Sequence, residues 1–414
     1  MYFFEGVYLA ALATDWLQQA YLFVLLREYH PESFVVRMYL AGVASQLSLS
    51  VLLEVIEGFV PHKLRCAACL VLQAASAAFL VHPAFGGLVT SRVLGGFAAA
   101  MLHSSFEAWM VEQHVGQGFP LDWFTHTFNK LSLAMGILAI TVGPVVTAAH
   151  DLGGGNVGPL KLSLVIVAVN GFQLITWRRD VNKSCPTFGD TGRLASRAWA
   201  AMMNGGQVAM VATAQGCFEG VIFAFALLWT PLLAAANALS TPEGQIAREP
   251  PWGMVFAQQL SCVMIGSVIF KLVTALYPWA TADKMCLWAC AGGAVCFWGL
   301  SFGLSLTRTQ VCLLGFEGCV GVYLNGMGAM RSKYVPQEVR GLVLATSKLV
   351  ITVAVFVALV FMSESRSASA FLCAVLAAIA ALCSARVVMG NSASGRMGQA
   401  VEGDEEEASL AQSR

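Results

Sequence analysis

Asp15, Glu107, Glu219 and Glu317 are carboxylates inside long apolar stretches, where a charge is hardest to keep. Three of them recur in near-identical words: SSFEAW (104–109), GCFEG (216–220) and GFEG (315–318). Such residues are rare in hydrocarbon unless they face a water-filled path, pair with a cation or hold a proton. One acid in each of several apolar segments is the pattern of a chain that moves something across a membrane. Other polar residues extend the set. On the segment of Glu107, ideal helical spacing puts Arg92, Gly96, His103 and Glu107 on one face. At about 1.5 Å of rise per residue, Arg92 and Glu107 lie too far apart along the axis to touch. Gln18 and Gln19 accompany Asp15, Gln215 precedes Glu219 by one turn, and Asn325 follows Glu317 by two turns on nearly the same side.

Each of these admits a functional and a structural reading. Functionally, Arg92 is an anion or coupling residue, Glu107 a proton site or gate, Asp15, Gln19, His103, Gln215, Glu219, Glu317 and Asn325 a polar cavity lining, and Lys348 an anion contact. Structurally, Glu219 or Glu317 is bridged to Lys271 or Lys348, and Glu107 or Arg92 pairs with a neighbouring segment or snorkels to the interface. Lys130, near the start of its segment, reads as an interfacial anchor. Trp16, Trp109 and Trp229 shape a cavity or belong to the aromatic belt. Gly318, Gly321, Gly326 and Gly328 read as sites of close helix packing.

The segments that must position these residues are plain from composition. Hydrophobic residues make up 57% of the 414, charged residues 12%, and the formal net charge is zero. Mean hydropathy is +0.69. A soluble domain carries about a quarter charged residues. A spanning helix needs ~20 mostly apolar residues to cross ~30 Å of hydrocarbon. Twelve stretches qualify: 2–26, 34–56, 64–82, 86–112, 123–149, 159–177, 205–236, 251–276, 283–304, 308–330, 337–362 and 366–390. Helix is the element that satisfies its own backbone at such lengths, and the short alternating segments of a barrel are not seen. The expected fold is an all-α polytopic membrane protein.

With both termini cytosolic, the 24 basic residues divide into 14 inside, seven outside and three within spans, the bias of the positive-inside rule. The first span has no positively charged lead and no small-residue cleavage site, unlike a signal peptide. Segment 178–204, with five basic residues, separates six spans (1–177) from six (205–390) and reads as a cytosolic linker. Residues 391–414 carry the run EGDEEEAS and read as a disordered acidic tail. Of twelve cysteines, eleven lie in or at the ends of spans, and none has zinc spacing to a second pair or a histidine. They read as core packing. The glycosylation triplet at Asn182 falls in the cytosolic linker, where it would go unused. No phosphate loop, HExxH or nucleophile triad is present. The sequence supports neither an enzyme nor a cofactor, metal or nucleic-acid site.

The words ATDWLQQAYLF (13–23), SRVLGGF (91–97), SSFEAWMVEQH (104–114), GFPLDWF (118–124), QGCFEGVIFAFALLWTPLL (215–233) and MRSKYVP (330–336) together resemble the molybdate-anion transporter family of the major facilitator superfamily. The resemblance runs from the first span into the eleventh. It implies twelve transmembrane helices in two six-helix bundles, alternating access, and uptake of an oxyanion, with the first, fourth, seventh and tenth helices lining the central cavity. Those spans carry the four acids here. It departs from the superfamily between the second and third spans. The acid-glycine-basic latch reads EVIEGFVPHKLR (54–65), with Glu57, His62 and Lys63 in place of a clean Asp-Arg-Gly-Arg run. Arg92 and Gly96 keep the Arg-x-x-x-Gly spacing of a fourth-helix motif, and MGILAITVGPVV (135–146) is similar to the fifth-helix Gly-Pro motif of drug antiporters.

The expectation is therefore a secondary transporter of the cell membrane that takes up molybdate from solution, with protons as the coupling ion. Four acids sit oddly beside an anion path. They fit if some are protonated or paired, and they would suit a cation or neutral solute better if not. Two alternatives stay open: a proton-coupled carrier of a sugar or other small organic solute, and a transporter-like sensor or scaffold. The last has no need of membrane-buried acids.

Overall fold

The computed structural model describes residues 2–55, 60–81, 84–116, 122–176, 191–204, 206–241, 249–361 and 365–412. They form fourteen α-helices: α1 Tyr2–Ala20, α2 Leu22–Tyr29, α3 Glu32–Val55, α4 His62–Val81, α5 Phe85–Gly116, α6 Asp122–Gly153, α7 Gly158–Thr176, α8 Thr191–Asn204, α9 Gly206–Ser240, α10 Trp252–Leu276, α11 Ala282–Leu300, α12 Leu306–Tyr334, α13 Arg340–Phe361 and α14 Arg366–Gln412. Among the described residues ten helices are long and apolar enough to span a membrane, and α1 with α2 makes an eleventh span bent by 41° at Tyr21. The predicted ninth span, 283–304, is α11, which is helical in the expected place but less apolar. Asp283 and Lys284 open it and three glycines and two tryptophans interrupt its aliphatic run. It packs between α12 and α14 all the same.

Two further expectations change. The linker is not simply a polar tether, because Thr191–Asn204 folds as α8 and its Arg197 meets Glu338 at 3.1 Å. The tail expected to be disordered continues as helical backbone to Gln412. Its alanines, glutamates and glutamines are good helix formers with no proline to stop them.

The chain packs as two groups of helices. α1, α3, α4, α5 and α7 contact one another in the first half, as do α9 and α11 to α14 in the second, with α10 on α12. The halves meet mainly through α6 on α10 and α3 on α13. Within each half, glycines let backbones touch. A Cβ at Gly96 of α5 would stand 2.1 Å from the Gly42 oxygen of α3, and one at Gly321 of α12 would stand 2.0 Å from the Val263 oxygen of α10. Polar side chains tie other crossings, as where Ser76 and Ser91 bond each other's carbonyls at 3.0 and 2.9 Å. Small residues and such bonds hold helices together where no hydrophobic gain separates protein from lipid. Large apolar side chains, among them Ile137, Ile140, Val165, Phe172, Val268 and Leu272, lie exposed on the outer faces of α6, α7 and α10, a surface suited to lipid tails.

The two ends of the bundle differ. At the end away from the termini the halves close on each other. Arg366 Nη2, at the start of α14, meets Glu32 Oε2 of α3 at 3.0 Å, with Arg27 on the same carboxylate at 3.9 Å. At the end of α1's N-terminus a cavity of about 630 Å³ opens between the halves, lined by Glu5, Glu107 and Met110 on one side and Met264, Leu324 and Asn325 on the other.

Candidate functional site

A second interior cavity, of about 320 Å³, lies further in, and Trp16 and His103 line both. Its wall brings together five of the residues singled out by sequence: Asp15 and Gln19 on α1, Arg92 and His103 on α5, and Glu317 on α12. Two of the tryptophans, Trp16 and Trp229, line it as well. The third, Trp109, is instead packed into the first half's core.

Arg92 is held by the helix crossing that surrounds it. Gly42 on α3 packs directly on Arg92, where a Cβ would stand 3.2 Å from the Arg92 carbonyl oxygen and 3.6 Å from its Nε. Ser45 Oγ donates to the Val93 oxygen at 3.1 Å and pins α3 against α5 one residue away. The guanidinium stands 5.8 Å from the centre of the Tyr39 ring, a cation–π contact. Arg92 is 8% exposed, yet its Nε has no hydrogen-bond partner among the described residues. A buried guanidinium with an unpartnered donor, on a residue of the cavity wall, is a place for an acceptor.

Asp15 takes a hydrogen bond from the Gln19 amide and lies within electrostatic reach of His103 and Arg92. The acid, the imidazole and the guanidinium form one cluster contributed by α1 and α5. Gln18, expected on the same polar stripe, turns away and its Nε2 reaches the Gln73 oxygen of α4 at 3.5 Å. Glu317 enters the cavity from the other half and, among the described residues, has neither an ion pair nor a hydrogen bond.

The remaining predicted residues fall elsewhere. Glu107 and Asn325 line the larger cavity, Glu107 within electrostatic reach of Arg331. The Asn325 amide donates to its own helix at the Gly321 oxygen, 3.0 Å away. Glu219 lines neither cavity. It forms an ion pair with Lys348 of α13, and the Lys348 ammonium lies 5.2 Å from the centre of the Phe223 ring. Phe223 is part of the inner cavity's wall, so the pair sits just behind it. Thus the bridge weighed for Glu219 is formed with Lys348. Lys271, the other partner considered, is exposed. Gln215, one turn before Glu219, is buried and its Oε1 lacks a partner among the described residues.

Sequence reasoning missed Gln259, which lines the inner cavity from α10 while only 2% exposed, its Nε2 without a partner among the described residues. The adjacent glutamines of VFAQQLSCV (255–263) were the available signal, because a neutral amide in a span raises the same question as a charge. The superfamily latch lies partly outside the described residues, at 56–59. In the second half Asp283, at the start of α11, accepts from Lys333 Nζ at 3.0 Å and from the Tyr334 hydroxyl at 2.7 Å. Among the described residues no group of three or more His, Cys, Asp or Glu could hold a metal ion, and none of the eleven described cysteines is in a disulfide.

A family model described as sugar transporters of 12 TM matches residues 2–280. The molybdate-anion transporter of Danio rerio is 31% identical, the match covering 84% of this chain and 76% of the relative. The chain belongs to the molybdate-anion transporter family of the major facilitator superfamily. The family's Xenopus tropicalis protein is 28% identical over 81% of this chain and 73% of its own length. Among solved structures, a POT family transporter in complex with a thioalcohol-conjugated peptide superposes with a TM-score of 0.68 at 7% identity, over 94% of this chain and 96% of that one. At that identity the likeness speaks for the fold alone. Family and fold make the chain a multi-pass membrane transporter and not an enzyme.

Proposed function

We propose that the chain carries molybdate across the cell membrane by alternating access, with its site in the inner cavity between the halves. The carrying observation is Arg92, a buried guanidinium in the wall of a cavity built by both halves, whose Nε has no partner among the described residues. An oxyanion offers acceptors on every side, and hydrogen bonds between charged groups are the strong ones. The relatives named for this anion point the same way. Asp15 is compensated by Gln19, His103 and Arg92. Glu317, unpaired in the cavity wall, takes the coupling proton: protonated, it donates to the anion instead of repelling it. Glu219, bound to Lys348, has a framing role.

The deciding measurement is uptake of labelled molybdate into cells lacking their own transporter. Arg92→Ala should reduce uptake to background while the protein still reaches the membrane, and undiminished uptake would remove Arg92 from the site. Glu317→Gln should flatten the dependence of uptake on external pH, and an unchanged profile would end its coupling role. Both termini and segment 178–204 are cytosolic in this reading. A cysteine at Ser196 should react with an impermeant reagent only in opened cells and one at Ser33 in intact cells; the reverse pattern would invert the topology.

A second reading, a proton-coupled sugar carrier, draws on the family model's description and on Trp16 and Trp229 beside amides and carboxylates in the same wall. Labelled hexose taken up in preference to molybdate would favour it.

A further inference from the structure

Arg92 is not alone in carrying a buried, unpartnered donor on a residue of the inner cavity's wall. Gln259 Nε2, on α10 of the other half, is also buried and has no hydrogen-bond partner among the described residues. Both residues line the same 320 Å³ volume. Amide and guanidinium hydrogens removed from water and left unpaired are costly, and natural cores avoid them except where a ligand or water completes them. One orphan donor is a local oddity. Two, on residues that line one cavity from helices on opposite sides of the interface, describe a shape: a small ligand with acceptors on opposite sides and no donors of its own.

We infer that Gln259 is the second half's ligand to the transported anion, closing on a tetrahedral oxyanion from across the cavity while Arg92 holds its other side. This deepens the molybdate reading and rests on it for the identity of the anion, though not for its class. The arrangement explains how one site could serve alternating access. Arg92 belongs to α5 and Gln259 to α10, so each half keeps one hold on the substrate as they move against each other. It also bears on selectivity. A carboxamide offers two N–H donors at fixed spacing without adding positive charge, so the anion is coordinated while the site's charge stays set by Arg92, Asp15, Glu317 and His103, the titratable groups that face it. Replacing the amide by a carboxylate of the same shape would turn a donor into a like charge beside the anion.

The test uses the full chain, purified in detergent for binding and expressed in transporter-deficient cells for uptake. Sodium molybdate, sodium sulfate and sodium phosphate are each scored for thermal stabilisation of the parent, Gln259→Leu and Gln259→Glu. Gln259→Leu keeps the volume without the donor and should raise the apparent Kd and the KM for uptake by about 10- to 100-fold, the scale of one hydrogen bond to a charged group, with maximal rate and surface level little changed. Gln259→Glu should abolish stabilisation. Because either variant could fail to fold, each is also read by its unliganded melting temperature, and Gln259→Asn, which keeps a shorter donor, should recover part of the affinity. Parent stabilisation by molybdate that survives unchanged in folded Gln259→Leu and Gln259→Glu overturns the role of Gln259 and leaves the molybdate reading standing. Stabilisation by sulfate or phosphate but not molybdate, lost in the same variants, supports the Gln259 site and overturns molybdate as its substrate. No stabilisation of the parent by any of the three anions overturns both.

Discussion

The two halves use the same frame and put different chemistry on it. In each, a pair of helices crosses at glycines close enough for backbone contact, α3 with α5 at Gly42 and Gly96, α10 with α12 at Gly266 and Gly321. Beyond that crossing they diverge. The first half leaves Asp15, Arg92 and His103 facing open volume. The second neutralises Glu219 with Lys348 and fills its centre with rings: Phe218 on Tyr323 at 4.3 Å, Phe225 on Phe316 at 5.0 Å and Phe297 on Phe316 at 4.9 Å. Its hydrogen-bonding side chains lining the cavity besides Trp229 are Gln259 and Glu317, one amide and one acid unpaired among the described residues. Division of labour follows: the first half holds charge ready for a ligand, and the second supplies a stiff wall with two polar groups set into it.

This contrast is strongest at the Glu219–Lys348 pair. Removing one partner leaves the other charge buried and uncompensated, which costs about 3–5 kcal/mol, so Glu219→Gln and Lys348→Met should each sharply lower the melting temperature. The double replacement should recover most of it. If the single variants melt like the parent, the second half is not framed by this pair and the comparison breaks. Next in size are the crossings. Gly96→Ala and Gly321→Ala each put a methyl against a carbonyl oxygen, at 2.1 and 2.0 Å. Each should cost about 3 kcal/mol, the upper part of the range for overpacking, and similar losses measured for the two would show that the frame is shared. A loss confined to one half would show that it is not.

A smaller stability effect sharpens the functional side. Asp15→Asn keeps the shape and the bond to Gln19 and should move the melting temperature by less than about 1 kcal/mol. Uptake should nonetheless fall by at least about tenfold, the scale of one charge-assisted contact. Equal losses of stability and uptake would make Asp15 a packing residue like Glu219. Smallest of all is Glu32→Ala at the closed end, expected within about 1 kcal/mol by denaturation because exposed ion pairs contribute little.

How far the sequence could carry these distinctions depends on the physics of each. Spans are written in composition, since ~20 apolar residues have one solution in a bilayer, and among the described residues ten of the expected stretches, with the bent pair α1 and α2 as an eleventh, are long and apolar enough to cross. Only α11 is muted, by Asp283, Lys284 and its glycines. Residue types for the site were legible too, because a charge in a span is conspicuous. Pairing was not. FEAW, CFEG and GFEG look alike, yet Glu107 faces the larger cavity, Glu219 meets a lysine 129 positions on and Glu317 stands unpaired. Which cation an acid meets depends on helix rotation and on crossings far apart in the chain, and no local pattern fixes either. Gln259 went unseen because it is neutral and does not accompany any of the four acids that mark the other spans.

One feature at the far end joins these halves in a different medium. Arg366 and Arg27 are about half exposed where they meet Glu32, whereas Glu219 and Lys348 lie behind the cavity wall. Dissolved ions screen charges over ~8 Å at physiological ionic strength and reach exposed pairs far more than buried ones. Closure of that face is therefore the part of the fold most open to the composition of the fluid bathing it. Fluorescent probes placed across that face should move apart as sodium chloride is added and return on dilution, while probes across α9 and α13 stay where they are. The carrier's resting posture would then be set partly by the ionic strength outside it, with no ligand bound.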